Sequence, residues 1–479
     1  MSLADEKLET TDASPGLSSH SRDDLEKRLV RKLDQRMSII VLLYTMNNVD
    51  RANITSARLA GFEEDLHLQG SQYATLLSIT YVGFIIMQVP ANMFLHWLER
   101  PAILIPWSMV IWGIISILTG LTQNYTQVLL ARLLLGFAEA PFFPGIMFLI
   151  SGWYKRDELA VRVALINFGS VLSTAFGSLF ASGVLTGMQG ILGQAGWRRD
   201  TWLFYLEGGI TTIVAINAMF ILPSFPHNTK WLTPEERSLA ISRLADDGYG
   251  RMDGPGTRTS IQGLRDALCD WKVWWFTIFL TIERIALSYG VYFPTLVASM
   301  GYDMTVTLML VIPPSVLATI GAFVFSRYSD RTQKRAMFII ASNALAAVGF
   351  IMSFCTMNTA ARYISLFLMN QNAGGQMVFW AWIKNTFARE PAKRAVAIAV
   401  ISGLSSVGSI AGPFLWPLNW GPTYRHSYAI CIATLGVATA MIGVMHLHLK
   451  WVNAQIERNE QDVKDINELP DPVGFRYLV

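Results

Sequence analysis

Four ionisable residues lie inside strongly apolar stretches of the chain, where only a partner or water makes them tolerable. Asp50 and Arg51 stand in YTMNNVDRANI, with Asn47, Asn48 and Asn53 around them. Arg132 and Glu139 stand in ARLLLGFAEAPFFPG, with Gly136 between them. An Arg or Asp at the centre of a spanning helix costs about 2.5–3.5 kcal/mol on insertion scales. Adjacent residues on a helix diverge by about 100°, so Asp50 and Arg51 do not simply neutralise each other. Arg132 and Glu139 are two turns apart and share a face. The pattern predicts a buried charged cluster with two kinds of chemistry. A guanidinium presents a planar fork that holds a carboxylate through two hydrogen bonds, and a carboxyl inside a membrane can carry a proton. The competing reading is an ion-pair network with a structural role alone.

A second group falls later in the chain. Glu283 and Arg284 are followed by Tyr289 and Tyr292, and the run NQNAGGQ supplies Asn370, Gln371, Asn372, Gly374, Gly375 and Gln376. Amides beside a glycine pair make a hydrogen-bonding patch with loosened backbone, where a discontinuous helix could line a site. Hydrogen-bonded contact between helices is the other reading. Lys384, His446 and His448 are expected to sit at the membrane interface. Cys269, Cys355 and Cys431 have no metal-ligand spacing, and the seven histidines are scattered. There is no Gly-Lys dipeptide for a phosphate-binding loop, and HExxH and GxSxG are missing. No cofactor or metal is expected; transport would run on an ion gradient, with H⁺ as the coupling ion.

The elements that must position these residues follow from composition. Of 479 residues, 52% are hydrophobic and 15% charged, against about 25% charged in a soluble protein. A disordered chain, a disulfide scaffold and most soluble enzymes are excluded. The net charge of +3 gives no reason to expect nucleic acid. A spanning helix needs about 20 mostly apolar residues, and twelve candidates are found. In the first half they are 37–57, 72–97, 102–121, 126–150, 160–186 and 202–222; in the second, 273–298, 306–326, 336–356, 362–386, 394–417 and 427–449. The organisation expected is a cytosolic tail (1–36), a six-helix bundle (37–222), a cytosolic linker (223–272), a second bundle (273–449) and a cytosolic tail (450–479). The tail 1–36 has no apolar core of a cleaved signal peptide. In the linker, Thr233-Pro234-Glu235-Glu236 reads as a helix start.

Short loops on one side carry eleven Lys and Arg, and those on the other carry five. The richer side is cytoplasmic, which places both termini there. Asn124-Tyr125-Thr126 is then an outward-facing sequon and Asn124 a candidate glycosylation site.

Over residues 37–450 the chain resembles the major facilitator superfamily. SRYSDRTQKR, with Asp330, Arg331 and Arg335, is similar to that superfamily's cytoplasmic gating-loop motif, whereas the equivalent first-half loop, HWLERP, departs from it. DRANI, ARLLLGFAEAPFFPG through WYKRDELAVR, WLTPEER and WAWIKNTFAREPAKRA resemble the anion:cation symporters, in particular fungal allantoate, nicotinate and pantothenate permeases. The resemblance implies an all-α integral membrane protein of twelve transmembrane helices in two pseudo-symmetric six-helix bundles. It also implies proton-coupled uptake of a small organic carboxylate by a plasma-membrane transporter, with Asp50, Arg51, Arg132 and Glu139 serving coupling and anion binding.

The expected substrate site is Arg51 and Arg132 with Asn48, Tyr289, Tyr292, Asn370, Gln371 and Gln376. The expected proton carriers are Glu139, then Asp50, with Glu283 a further candidate. Arg132, at roughly 10 Å along the helix, is the base considered for Glu139. The partners are the organic anion, the proton and the bilayer, and the protein is read as a monomer. Proton-driven efflux of an acidic metabolite and a non-transporting sensor are the alternatives; no catalytic constellation supports an enzyme.

Overall fold

Every regular element among the residues described by this computed structural model (19–98, 100–187, 199–226, 229, 231–246, 260–387 and 391–462) is helical. An apolar chain without water must satisfy its backbone hydrogen bonds within each segment. The first part holds α1 (Ser19–Met37), α2 (Ile39–Leu59), α3 (Phe62–Asp65), α4 (Gln72–Leu98), α5 (Pro101–Thr119), α6 (Tyr125–Glu139), α7 (Phe142–Ser151), α8 (Arg156–Gly187) and α9 (Arg199–Ile221). Two helices follow, α10 (Pro234–Asp246) and α11 (Ser260–Cys269). The rest comprises α12 (Trp271–Ala286), α13 (Phe293–Ala298), α14 (Met304–Leu310), α15 (Ile312–Thr332), α16 (Arg335–Cys355), α17 (Thr359–Asn370), α18 (Asn372–Thr386), α19 (Pro391–Leu404), α20 (Ser406–Ala411) and α21 (Arg425–Asp462).

Among the described residues, eight stretches are long and apolar enough to cross a membrane: Gln72–Leu95, Pro101–Thr119, Tyr125–Ser151, Trp202–Ile221, Met304–Thr332, Arg335–Cys355, Val396–Leu415 and Arg425–Glu460. Twelve were expected. The other four expected spans are also helical, and three of them are polar or interrupted. α2 carries Asp50, Arg51 and Arg58. α12 stops at Ala286, and a 3-10 turn, Leu287–Gly290, leads into α13. α17 ends at Asn370 and α18 begins at Asn372, so the amide-glycine run does break its helix. The fourth is α8.

The helix pairings repeat along the chain. α2 packs on α8, α4 on α6 and α5 on α9; later, α12 packs on α19 and α20, α15 on α18 and α16 on α21. Small residues permit the close approaches. A Cβ on Gly208 would stand 2.6 Å from the Gly113 carbonyl oxygen, so α5 and α9 meet backbone to backbone. Large apolar residues, Trp97, Phe220, Phe323 and Leu447 among them, face outward, as a lipid-facing surface requires.

At one end, α1 and α10 lie against the α7–α8 connection. Thr233 and Glu236 form the expected capping box, each accepting the other's backbone N–H at 3.2 Å. Lys32 pairs with Glu236, and the buried Arg243 pairs with Glu158. Lys155 reaches Glu26 at 2.7 Å, and Arg162 reaches Asp34 at 2.9 Å. The Lys155 hydrogen bond holds the Glu26 carboxyl below the usual glutamate range. α11 and the extension of α21 past residue 449 were not foreseen as helix. Of the residues used for the charge count, Arg198 and Arg389 lie outside the described residues.

Candidate functional site

The centre of the site is a contact between α2 and α6. Nε of Arg51 donates to Oε2 of Glu139 at 2.8 Å, and Nη2 stands 2.8 Å from the same oxygen in the ion pair. Glu139 is the last residue of α6, before Pro141 and α7, and its carboxyl is buried while the Arg51 side chain is 38% exposed. The Arg51 guanidinium also lies 5.6 Å from the centroid of the Phe84 ring. The base that engages Glu139 is therefore Arg51, not Arg132. Helix packing brings together two residues 88 positions apart, whereas Arg132 is held two turns away on the same helix.

Asp50 points elsewhere, as the divergence of adjacent helical residues requires. Its Oδ2 accepts from the Trp112 indole N–H on α5 and, at 3.2 Å, from the Thr211 hydroxyl on α9. Its Oδ1 is buried without a hydrogen-bond partner. Arg132 is buried, with its guanidinium 5.9 Å from the Phe204 ring centroid and its Nε unpartnered. The charged neighbours of Arg132 are Glu139, Asp50 and Glu207. Glu207, on α9, was not singled out from the sequence; the signal was a lone acid in the apolar run WLFYLEGGI.

Across the site, Glu283 is fully buried and neither oxygen receives a hydrogen bond of ordinary geometry. Asn372 and Arg284 are its polar neighbours. Arg284 does not close an ion pair with it but donates to the Ser406 hydroxyl at 3.0 Å. Asn372 donates to Asn343 at 2.7 Å, and Asn343 to Thr439 at 3.2 Å. Part of the amide run is thus contact between helices.

A cavity of about 380 Å³ opens between the two parts of the chain. It brings together Asn48, Arg51, Arg132, Glu139 and Asn370 from the expected set, with Asn53, Tyr81, Phe84 and Ser315 beside them. Asp50, Glu283, Tyr289, Tyr292, Gln371 and Gln376 are not on its wall. The Tyr289 hydroxyl donates to Asn370 at 3.1 Å, and that of Tyr292 to the Pro413 carbonyl at 3.0 Å. The Gln371 side chain donates to Phe367 O at 3.3 Å, and Gln376 is half-buried in α18.

Near the end of α2, outside the residues that line the cavity, stands Arg58. It pairs with Glu63 at 3.2 Å and lies over the rings of Tyr73, at 4.3 Å, and Tyr292, at 5.2 Å. On the same side Ser78 donates to Ile410 O at 2.7 Å. At the α15–α16 connection, Arg335 donates to Ser329 at 3.1 Å and pairs with Asp330, while Arg331 is exposed. Asn124 is exposed and caps α6, its side-chain oxygen accepting from Gln127 N at 3.0 Å.

The family described as the Major Facilitator Superfamily matches residues 40–452. The chain is 29% identical over 463 residues to the MFS-type transporter cnsO of Penicillium expansum, covering 92% of this chain and 86% of that protein. It is 30% identical over 418 residues to a putative tartrate transporter of Agrobacterium vitis, covering 83% and 86%. A bacterial homolog of the human lysosomal transporter Spinster, solved inward-facing and unoccupied, shares the fold with a TM-score of 0.64 at 17% identity, covering 86% of this chain and 96% of that one.

Proposed function

The chain belongs to the Major Facilitator Superfamily, a membrane transporter family and not an enzyme family, and on that premise we propose that it carries a small organic anion together with protons by alternating access. The observation that carries the proposal is the Arg51–Glu139 pair on the cavity wall. Arg51 is the most exposed cation of the cluster, and its fork is engaged by a protein carboxylate. A substrate carboxylate and ionised Glu139 compete for the same N–H groups. Protonation of Glu139 removes the competitor, so proton and anion favour each other's binding, and this coupling is reciprocal.

In this reading Arg51 takes the substrate carboxylate in bidentate geometry, and Arg132 supplies the second positive charge. Asn48 and Asn370 give neutral hydrogen bonds from opposite walls. Glu139 is the first proton carrier, with Asp50 and Glu283 as further candidates. Tyr289 and Tyr292 shape the wall from behind, through Asn370 and Pro413, and Gln371 holds the α17–α18 break.

The repeated helix pairing supports two six-helix bundles of twelve spans, three of them polar or interrupted. The bundles rock about the cavity, with Arg58 closing the outer side and Asp330, Arg331 and Arg335 forming the cytoplasmic latch. Both termini face the cytosol, and the direction is uptake across the plasma membrane. The name of the tartrate-transporter relative is in keeping with a carboxylate substrate. The test is uptake of a panel of labelled carboxylates into proteoliposomes under an imposed pH gradient. Accumulation that a protonophore abolishes is the expected result; gradient-independent uptake, or none across the panel, would refute the proposal.

A further inference from the structure

Glu207 is 2% exposed, and neither of its carboxyl oxygens has a hydrogen-bond partner. Its charged neighbours are Asp50 from α2 and Arg132 from α6. α5, packed on the same helix, contributes no titratable side chain, and α8 has no charged residue beyond Arg162, in its second turn. On α9 itself the other titratable residues are Arg199 and Asp200, in the first turn, and Tyr205.

No donor of this region reaches Glu207: Arg132 makes no hydrogen bond to it, and three other donors are directed to other acids. Arg51 serves Glu139, and Trp112 and Thr211 serve Asp50. Thr211 stands one turn from Glu207 on α9, yet its hydroxyl hydrogen goes to Asp50. The charge count points the same way: Asp50, Glu139 and Glu207 are three carboxyls, and Arg51 and Arg132 are two guanidiniums. An ionised carboxylate buried without a protein donor has lost solvation without replacement, whereas the neutral acid has no charge to solvate.

We propose that Glu207 holds a proton while Arg51 is paired with Glu139, and is a positioning residue for the charge of the site: with Glu207 neutral, the remaining two carboxylates and two guanidiniums balance. This rests on the transport reading only for its consequence. Protonation of Glu139 then leaves the cluster one positive charge, which a monovalent anion neutralises. An ionised Glu207 would instead set a second acid against Arg132 and oppose the anion.

The test is infrared spectroscopy of the purified full-length protein near neutral pH, in H₂O and D₂O, reading the C=O stretch of neutral carboxyl groups. Wild type is expected to show this band, with one component lost in Glu207→Gln and retained in Glu283→Gln. Glu207→Asp, which keeps an acid, is expected to return the component at a shifted frequency, and it decides the matter if the Gln variant does not fold. An unchanged band in Glu207→Gln, or no shift in Glu207→Asp, overturns the proposal. The measurement needs no substrate, so a failed carboxylate uptake assay would sink the transport reading and leave this result standing.

Discussion

Arg51 and Glu139 meet across α2 and α6 at a single carboxylate oxygen, which accepts from Nε at 2.8 Å and lies 2.8 Å from Nη2. Glu139 Oε1 is left buried without a partner. The contact is therefore not a closed fork-to-fork pair. The guanidinium retains donor capacity toward the cavity, and one acid oxygen is open to a proton.

Replacing Arg51 by Ala is expected to abolish carboxylate transport while the protein remains monodisperse in detergent. Arg51→Lys keeps the charge but loses the planar fork. Charge-assisted hydrogen bonds contribute about 1.5–3 kcal/mol each, so the Lys variant should lose roughly 10- to 100-fold in apparent affinity. Concentration-dependent uptake decides it, and equal affinity in Arg51→Lys would remove the bidentate geometry from the account.

Arg58 links the two parts of the chain through Tyr73 and Tyr292. Arg58→Ala should loosen that closure and expose the cavity to the outside. Labelling of Thr55→Cys, on the cavity wall, by an impermeant thiol reagent should then accelerate on the order of tenfold, the equivalent of one lost interaction of about 1.4 kcal/mol. The background must lack Cys269, Cys355 and Cys431. An unchanged labelling rate would show that Arg58 does not hold the closure.

Asn124 combines an exposed sequon with an N-cap. Asn124→Ala should lose both the glycan and about 1 kcal/mol of helix stability, whereas Asn124→Asp should lose only the glycan. A mobility shift on deglycosylation, absent in both variants, is the expected result. A tag at this loop that is accessible only from the cytosol would contradict the orientation.

Where α1 and α10 meet the α7–α8 connection, Lys155 depresses the Glu26 pKa. A depressed folded-state value means that the contribution is present above the ordinary glutamate range and is lost as pH falls through the lowered value. Glu26 is partly exposed, so the effect is on the order of 0.2–1 kcal/mol. Protection of the α1 amides, measured against the intrinsic exchange rate at each pH, should therefore fall at acid pH in wild type. Glu26→Gln should be less protected near neutral pH and lose this acid-dependent fall; an identical acid response would show that Glu26 does not titrate in this contact.

Asp50, Arg51, Arg132 and Glu139 were legible as charges in apolar runs, because the cost of burying a charge does not depend on the fold. Which acid meets which base was not legible. Arg51 finds Glu139 only because α2 and α6 line the same cavity, and Glu283 and Arg284 turn apart despite being neighbours. Glu207 carried the same sequence signal as Glu139, but the base about two turns before it, Arg199, stands at the start of α9 and outside the expected span 202–222, so it drew no attention to the acid. The break between α17 and α18 was readable from the amide-glycine run. Tyr289 and Tyr292 looked like substrate ligands, but the backbone path through Leu287–Gly290 turns their hydroxyls toward Asn370 and Pro413.

The most direct measurement is paired transport by Glu139→Gln in proteoliposomes: accumulation under an inward proton gradient, and counterflow in preloaded vesicles without one. Gln mimics the neutral acid and no longer competes as a carboxylate for Arg51. Counterflow is predicted to persist while accumulation against the gradient is lost. Protonophore-sensitive accumulation surviving in Glu139→Gln would contradict the account and move the coupling away from the Arg51–Glu139 pair.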